Sequence, residues 1–254
     1  MTATLEVLFA PAEFAALTTR DMSDTICVVF DIFRATSTIV TALGHGTEAI
    51  IPVAEIPEAL ALRNKHPHIL LAGERDGLRI QANLTGGVEF DLGNSPREFT
   101  PARISDKTIA LSTTNGSRAL RACSGAQAVL VGSFLNLSAT ASFLKGQKPG
   151  HLLLVCSGTG DEVAYEDVLG AGALVDLLWP GYSKQQITDS ASMAHQIYQQ
   201  HSDDLMSVVK HSRNGRRLLA IPELRADVAW CLQQNIFSLV AKMDKDGKIK
   251  AASV

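Results

Sequence analysis

The sequence predicts an α/β protein, with helices layered on both faces of a mainly parallel or mixed sheet. Two observations carry that prediction. Three stretches repeat one layout: an apolar run, a loop of small polar residues, then a helical segment. The runs themselves are continuously apolar rather than alternating, as strands buried on both faces are. With 254 residues, 46% of them hydrophobic, the chain can bury a large core. It does so either as a single compact α/β unit over 1–254 or as two similar, intimately packed halves meeting near 100–107.

The first unit is TICVVFD (25–31), the loop IFRATST, the helix and turn IVTALGHGTEA and a strand IIPV. EIPEALALRNKH (55–66) follows as an amphipathic helix and HILLAGE (68–74) as a further strand. The turn-rich segment over 75–106 is expected to cover a sheet edge or the mouth of a cleft. The second unit runs from KTIALST (107–113) through TNGSRALRACSGAQA to VLVGS (129–133), and the third is HLLLVCS (151–157) followed by GTGDEVAYEDVLGAGALVDLL. Residues 184–211 read as one or two helices with polar faces. RADVAWCLQQNIFSLVAKM (225–243) reads as a last helix ending near the DKDGK turn.

Composition excludes several classes of function. Twenty-three basic residues against 26 acidic give a net charge of -3, and no basic block of the kind that tracks a nucleic-acid backbone is present. The partner expected is a small molecule, not nucleic acid and not a membrane, and a homo-oligomer stays open. Cys27, Cys123, Cys156 and Cys231 are far apart in apolar surroundings, which suits core thiols in a reducing compartment better than a zinc knuckle or a disulfide framework. The N-terminal stretch lacks a basic region leading a long apolar one, and no run reaches the ~20 apolar residues that span a bilayer. These features predict a soluble cytoplasmic protein.

In a parallel sheet the ligand site lies at the strand ends, and there the chain concentrates carboxylates. Asp31 follows the first strand directly, Glu74 closes HILLAGE, and Asp161, Glu162, Glu166 and Asp167 fall in the loop and first turn after HLLLVCS. Like charges in one cleft repel unless a cation intervenes, and an all-oxygen donor set suits Mg²⁺. The plainer reading is that each acid caps a helix or sits at its positive end, although three loops carrying such residues are harder to explain that way. STTNGSRAL and LGNSPREF add hydroxyls and turn amides suited to an anion, and Arg34 and Arg75 can pair with phosphate or carboxylate.

Other chemistries lack their residues. No GxxxxGK is present for a nucleoside triphosphate. Glu162 stands where a cysteine-dependent phosphatase needs its phosphate-binding arginine, and Phe33 where a DxDx loop needs its second aspartate. The GTG after the third strand has no further glycine or ribose-binding acid in register. The 7 histidines include no HExxH pair.

Taken in order, FDIFRATSTIVTAL, LLAGERDGLRI, FDLGNSPREF, LSTTNGSRAL, VGSFLN and CSGTGDEVAYEDVLGAG resemble the signature blocks of the 2-phosphosulfolactate phosphatase family, the ComB-like proteins. The resemblance is dense from about residue 25 to 175 and looser through HSRNGRRLLAI to the C-terminal region. It implies an α/β fold and a Mg²⁺-dependent phosphomonoesterase. The implied reaction converts (2R)-O-phospho-3-sulfolactate and water to (2R)-3-sulfolactate and phosphate, on the route to coenzyme M. A related phosphatase for another small phosphorylated acid, or a non-catalytic protein that binds such a metabolite, remain the alternatives.

Matched to those blocks, side-chain chemistry suggests roles. Asp31, Asp161 and Asp167 would hold Mg²⁺, and Glu74 or Glu166 would accept a proton from water. Arg34, Asn115 and the Thr113, Thr114, Gly116 and Ser117 loop would steady the phosphoryl oxygens. Thr36, Ser37, Asn94, Ser95 and Asn136 complete the candidate substrate contacts, leaving Arg75 or Arg216 for a sulfonate or carboxylate.

Overall fold

A computed structural model of the chain describes residues 3–147 and 149–252. Its apolar runs become strands: β1 (Thr4–Leu8), β2 (Thr25–Phe30), β3 (Ala49–Val53), β4 (Leu70–Arg75), β5 (Leu78–Arg79), β6 (Thr108–Ser112), β7 (Ala128–Gly132), β8 (His151–Cys156), β9 (Val240–Met243) and β10 (Ile249–Ala252). They form one sheet in the order β1-β8-β2-β7-β9-β10-β3-β6-β4-β5. Every residue of β2 is buried, as its unbroken apolar sequence requires of a strand covered on both faces.

Two parallel sets make up most of this sheet. In one, β2 pairs in parallel with both β7 and β8, and β8 with β1; in the other, β6 pairs in parallel with β3 and β4. The hairpin β9–β10 lies between them and is antiparallel to β7 on one side and β3 on the other. The sets therefore run in opposite senses along the strand order. Sheet twist of roughly 20–25° per step accumulates to about 100° or more between β2 and β6, so the carboxyl ends of β2, β4 and β6 turn toward one cleft.

One hydrophobic cluster fills the face between the two sets. It joins Cys27, Val29, Val131 and Val155 of the first set to Ile50, Ala72, Ile109 and Leu111 of the second, with Ile39, Val40 and Leu43 from the helix Ala35–Gly44 and Leu120 from the helix Gly116–Ala122. The opposite face of the first set packs on the helices Leu137–Gly146, Tyr165–Leu178 and Asp189–His201. That of the second set packs on Ile56–Lys65. The architecture is the layered α/β arrangement with a mixed sheet that the sequence predicts.

The last segment differs from its expectation. A helix spans only Arg225–Cys231, and residues of the expected 225–243 helix become β9 instead. Asn235 takes a left-handed backbone with φ 56, which ends any helix passing through it. Its side chain accepts from Ser138 N–H at 2.7 Å, and Asn235 and Phe237 donate backbone N–H groups to Phe134 and Leu135. The tail is thus tied to the neighbouring loop rather than to its own preceding turn. The DKDGK segment is the turn of the β9–β10 hairpin, where Asp244 Oδ1 accepts from the N–H groups of Asp246 and Lys248.

Candidate active site

At the carboxyl ends of β2, β4 and β6 lies a cleft of about 260 Å³. Asp31, the first residue after β2, is 7% exposed and lines it. Its Oδ1 accepts from Ala35 N–H at 3.1 Å, its own N–H goes to Thr36 Oγ1 at 3.0 Å, and Thr36 N–H returns to the Asp31 carbonyl. Asp31 is therefore tied to the first turn of the helix Ala35–Gly44, as a capping residue would be, while its carboxylate also faces the cleft. Burial raises its pKa to about 7; Glu74 and Glu166 push the same way, opposed by the Ala35 N–H and Arg34. Gly116 closes against it. A Cβ there would stand 3.0 Å from Asp31 Oδ2 and 2.7 Å from Ala35 Cβ, so this close approach of backbone to carboxylate admits only glycine.

Glu74 ends up between two loops. Its Oε1 accepts from both N–H and Oγ1 of Thr114, at 3.1 and 3.0 Å, and its Oε2 accepts from Gly77 N–H at 2.8 Å. The carboxylate lines the cleft and fixes the turn after β4 to the loop after β6. Thr113, Thr114 and Asn115 line the same wall. Ser117 N–H and Oγ both lie 3.2 Å from Thr113 Oγ1, and Asn115 Oδ1 accepts from Gly160 N–H. Asn94, 5% exposed, also lines the cleft, and its side-chain oxygen has no hydrogen-bond partner among the described residues.

Arg34 presents its guanidinium from behind. Nη1 donates to Asp227 Oδ2 at 2.8 Å and Nη2 to the Gly77 carbonyl at 2.5 Å. Asp227 is fully buried and also accepts from Ser95 Oγ at 2.7 Å. Ser95 therefore serves the arginine's counter-ion. Sequence reasoning passed over Asp227, which has no local signal because it lies in the helix Arg225–Cys231, far from Arg34 along the chain.

The remaining candidates fall outside the cleft wall. Asp161 points to solvent, its side chain 72% exposed and paired with Arg118 at 2.9 Å. Asp167 is buried, and its two oxygens accept from Ile32 N–H at 2.8 Å and Gly158 N–H at 3.0 Å. Glu166 accepts from Asn214 and Ser212. The expected set Asp31, Asp161 and Asp167 does not converge, and among the described residues no group of three or more His, Cys, Asp or Glu is arranged around a common cation position. Burial raises the carboxyl pKa of both Glu166 and Asp167; for Asp167 the charges of Asp31 and Glu166 add to the effect.

Arg75 is spent on Ser112 Oγ and the Ala54 and Glu74 carbonyls, and Arg216 on the His211 carbonyl. Its neighbour Arg217 lines the cleft instead. Successive residues on a helix point about 100° apart, and the sequence RNGRR offers no way to choose between them. Ser37 binds the Ile32 carbonyl and Ser133. Asn136 braces the turn after β7 through Ser133 N–H and the Val131 and Leu239 carbonyls.

These features define a class first: an α/β protein whose strand-end loops and a nearby helix gather three carboxylates, two arginines and a hydroxyl-rich turn around a cleft of small-molecule size. Residues 13–246 match the profile of the family described as 2-phosphosulpholactate phosphatase. The chain belongs to that family. A relative from Pseudothermotoga lettingae, named a probable 2-phosphosulfolactate phosphatase, is 36% identical over 249 residues, covering 98% of this chain and 99% of the relative. Proteins of the same name from Synechococcus sp. (strain JA-3-3Ab) and Caldicellulosiruptor saccharolyticus are 38% and 32% identical, over 89% and 91% of this chain and 91% and 94% of their own lengths. Among the described residues no helix is long and apolar enough to cross a membrane.

Proposed function

We propose that the protein hydrolyses the phosphate monoester of a small acid, with 2-phosphosulfolactate the substrate that family membership favours, in the reaction leading toward coenzyme M. The observation that carries this reading is Asp31: a buried carboxylate, its pKa raised to about 7, facing a cleft that also holds Arg34. Such an arrangement is costly to a fold and is typical of a site that handles charge.

The donor set fits Mg²⁺. Magnesium is commonly held by one or two carboxylates together with substrate phosphate and water, and of the three acids that line the cleft, Asp31, Glu74 and Asp76, the two buried ones, Asp31 and Glu74, would hold it. The mutual repulsion of buried acids around Asp31 is what a divalent cation would relieve. Bound there, the ion would neutralise phosphoryl oxygens and orient a water.

The protein's own groups supply the rest. Arg34, fixed by Asp227 and Gly77, offers a guanidinium to a non-bridging oxygen without first having to be ordered. Thr113 and Asn115 line the same cleft with a hydroxyl and a side-chain amide, beside Thr114, which is tied to Glu74. Phosphoryl transfer passes through a loose transition state, so position and charge matter more than a strong base. The buried carboxylates that line the cleft, Asp31 and Glu74, are those that can take the water's proton; Glu166 and Asp167 act on Asp31 through the field they impose.

The experiment is phosphate release from 2-phosphosulfolactate and a panel of other phosphorylated acids, before and after metal removal by EDTA. Release that stops in chelator and returns with Mg²⁺ supports the reading. Undiminished turnover at verified metal depletion removes the Mg²⁺ part of it, and no release from any ester removes the hydrolase.

A further inference from the structure

The two arginines on the cleft differ in how they are held. Arg34 is buried, and its guanidinium is committed to Asp227 and the Gly77 carbonyl. Arg217, from the helix Arg213–Ala220, has its side chain 47% exposed, and its one ion pair is with Asp76 at 3.6 Å. Asp76 is 97% exposed, so that pair is solvated and weak. Arg217 makes no side-chain hydrogen bond among the described residues.

Yet the two guanidiniums come near one place. Each Nη2 lies 3.9 Å from the point where a Cβ on Gly77 would stand. Gly77 has φ +81 and no side chain to occupy that point, and its N–H is tied to Glu74 Oε2. Two cations close to a common space repel each other unless an anion comes between or beside them. One is rigid and desolvated, and suits the phosphoryl group, whose position must be exact. The other is hydrated and loosely tethered, and suits a second anionic group whose position varies with the substrate.

We infer that Arg217 reads a second acid group, carboxylate or sulfonate, on the phosphorylated substrate, and that Asp76 is a counter-ion which this group displaces. The inference rests on the phosphatase reading and assigns the specificity that Arg75 and Arg216, bound elsewhere, do not supply. Asp76 thereby sets a threshold: a ligand without a second acid gains nothing in exchange for breaking the Asp76–Arg217 pair, whereas an acid-bearing ligand replaces a weak partner with a closer one.

The test uses three esters that share a phosphate on the central carbon: 2-phosphosulfolactate, 2-phospholactate without the sulfonate, and isopropyl phosphate without either acid. In Arg217→Ala the preference in kcat/KM for an acid-bearing ester over isopropyl phosphate falls about tenfold or more, the loss expected for one charged hydrogen bond. Arg217→Lys recovers part of it. Asp76→Asn lowers KM for the acid-bearing esters and leaves KM for isopropyl phosphate alone; asparagine tolerates the left-handed backbone at that position, φ 55. An equal loss on all three esters in Arg217→Ala would move Arg217 to the phosphoryl group, and an unchanged preference would overturn the inference outright. If the unaltered protein releases phosphate from none of the three, the hydrolase reading has failed instead. Calorimetric titration with 3-sulfolactate then tests Arg217 directly, and equal affinity in the unaltered protein and Arg217→Ala rejects it.

Discussion

Asp227 fixes Arg34: its Oδ2 lies 2.8 Å from Nη1, and both side chains are almost wholly withdrawn from solvent. The same carboxylate collects Ser95 Oγ and, at 3.7 Å, Arg97. The helix that carries Asp227 thus reaches across the fold to aim a side chain that the loop after β2 supplies.

Removing that carboxylate should have two separable effects. Asp227→Ala leaves a buried guanidinium unpaired and is expected to cost about 3–5 kcal/mol of stability, read by denaturant unfolding. Asp227→Asn keeps the shape and a hydrogen-bond acceptor; it should unfold nearer to the unaltered protein while raising KM for the phosphate ester and weakening inhibition by inorganic phosphate. A normal KM in Asp227→Asn would reduce the pair to a structural one.

Asp31 links pH to stability. Its folded pKa of about 7 exceeds the unfolded value of about 3.9, so the folded state binds this proton more tightly than the unfolded state. Stability from this group is greatest at low pH and falls as pH rises from about 4 through 7. Glu166 and Asp167, both raised, act in the same direction. Asp31→Asn should therefore melt higher than the unaltered protein at pH 8, with the gain shrinking toward pH 4, while turnover falls roughly a hundredfold or more. Mg²⁺ should raise the melting temperature of the unaltered protein at pH 8 and do less for the variant. Near-normal turnover in Asp31→Asn would leave Asp31 as a helix cap only.

Asp161 makes the opposite case. Its exposed pair with Arg118 is of a kind worth about 0–1 kcal/mol, and its carboxylate points away from the cleft. Asp161→Asn is expected to keep turnover, Mg²⁺ dependence and melting temperature close to those of the unaltered protein. A rise in the Mg²⁺ concentration needed for half-maximal rate would return Asp161 to the metal.

Asn94 has a buried side-chain oxygen without a partner on the cleft wall. An unsatisfied buried acceptor costs about 1–3 kcal/mol, so Asn94→Ala should leave stability unchanged or raise it, and lower kcat/KM. Lost stability with intact kinetics would show that Asn94 supports the fold and not the ligand.

Much of this was legible in the chain. TICVVF, TIALS and HLLLVC declare buried strands because nothing in them needs water, and the acids and hydroxyls that follow mark the end of the sheet where a site forms. Asp31, Glu74, Asn94 and Thr113 to Asn115 are reachable by that reasoning. The hairpin was not, because VAKM and IKAA are short, each interrupted by a lysine, and LQQNIFSL extends the helical period of the segment before it. Asp227 and Arg217 were hidden for a different reason: each acts across a gap that only the folded sheet closes, and on its own helix each looks like an ordinary surface charge.

That hairpin also completes the sheet. Among the described residues β9 and β10 are the only strands joining β7 to β3, and they follow all the other described strands in the chain. Without residues 240–252 the hydrogen-bonded sheet is two pieces that meet only through side-chain packing, with Asp31 at the end of a strand in one and Glu74 in the other. The hydrogen-bonded link between the strand that carries Asp31 and the one that carries Glu74 therefore runs through the last two described strands of the chain.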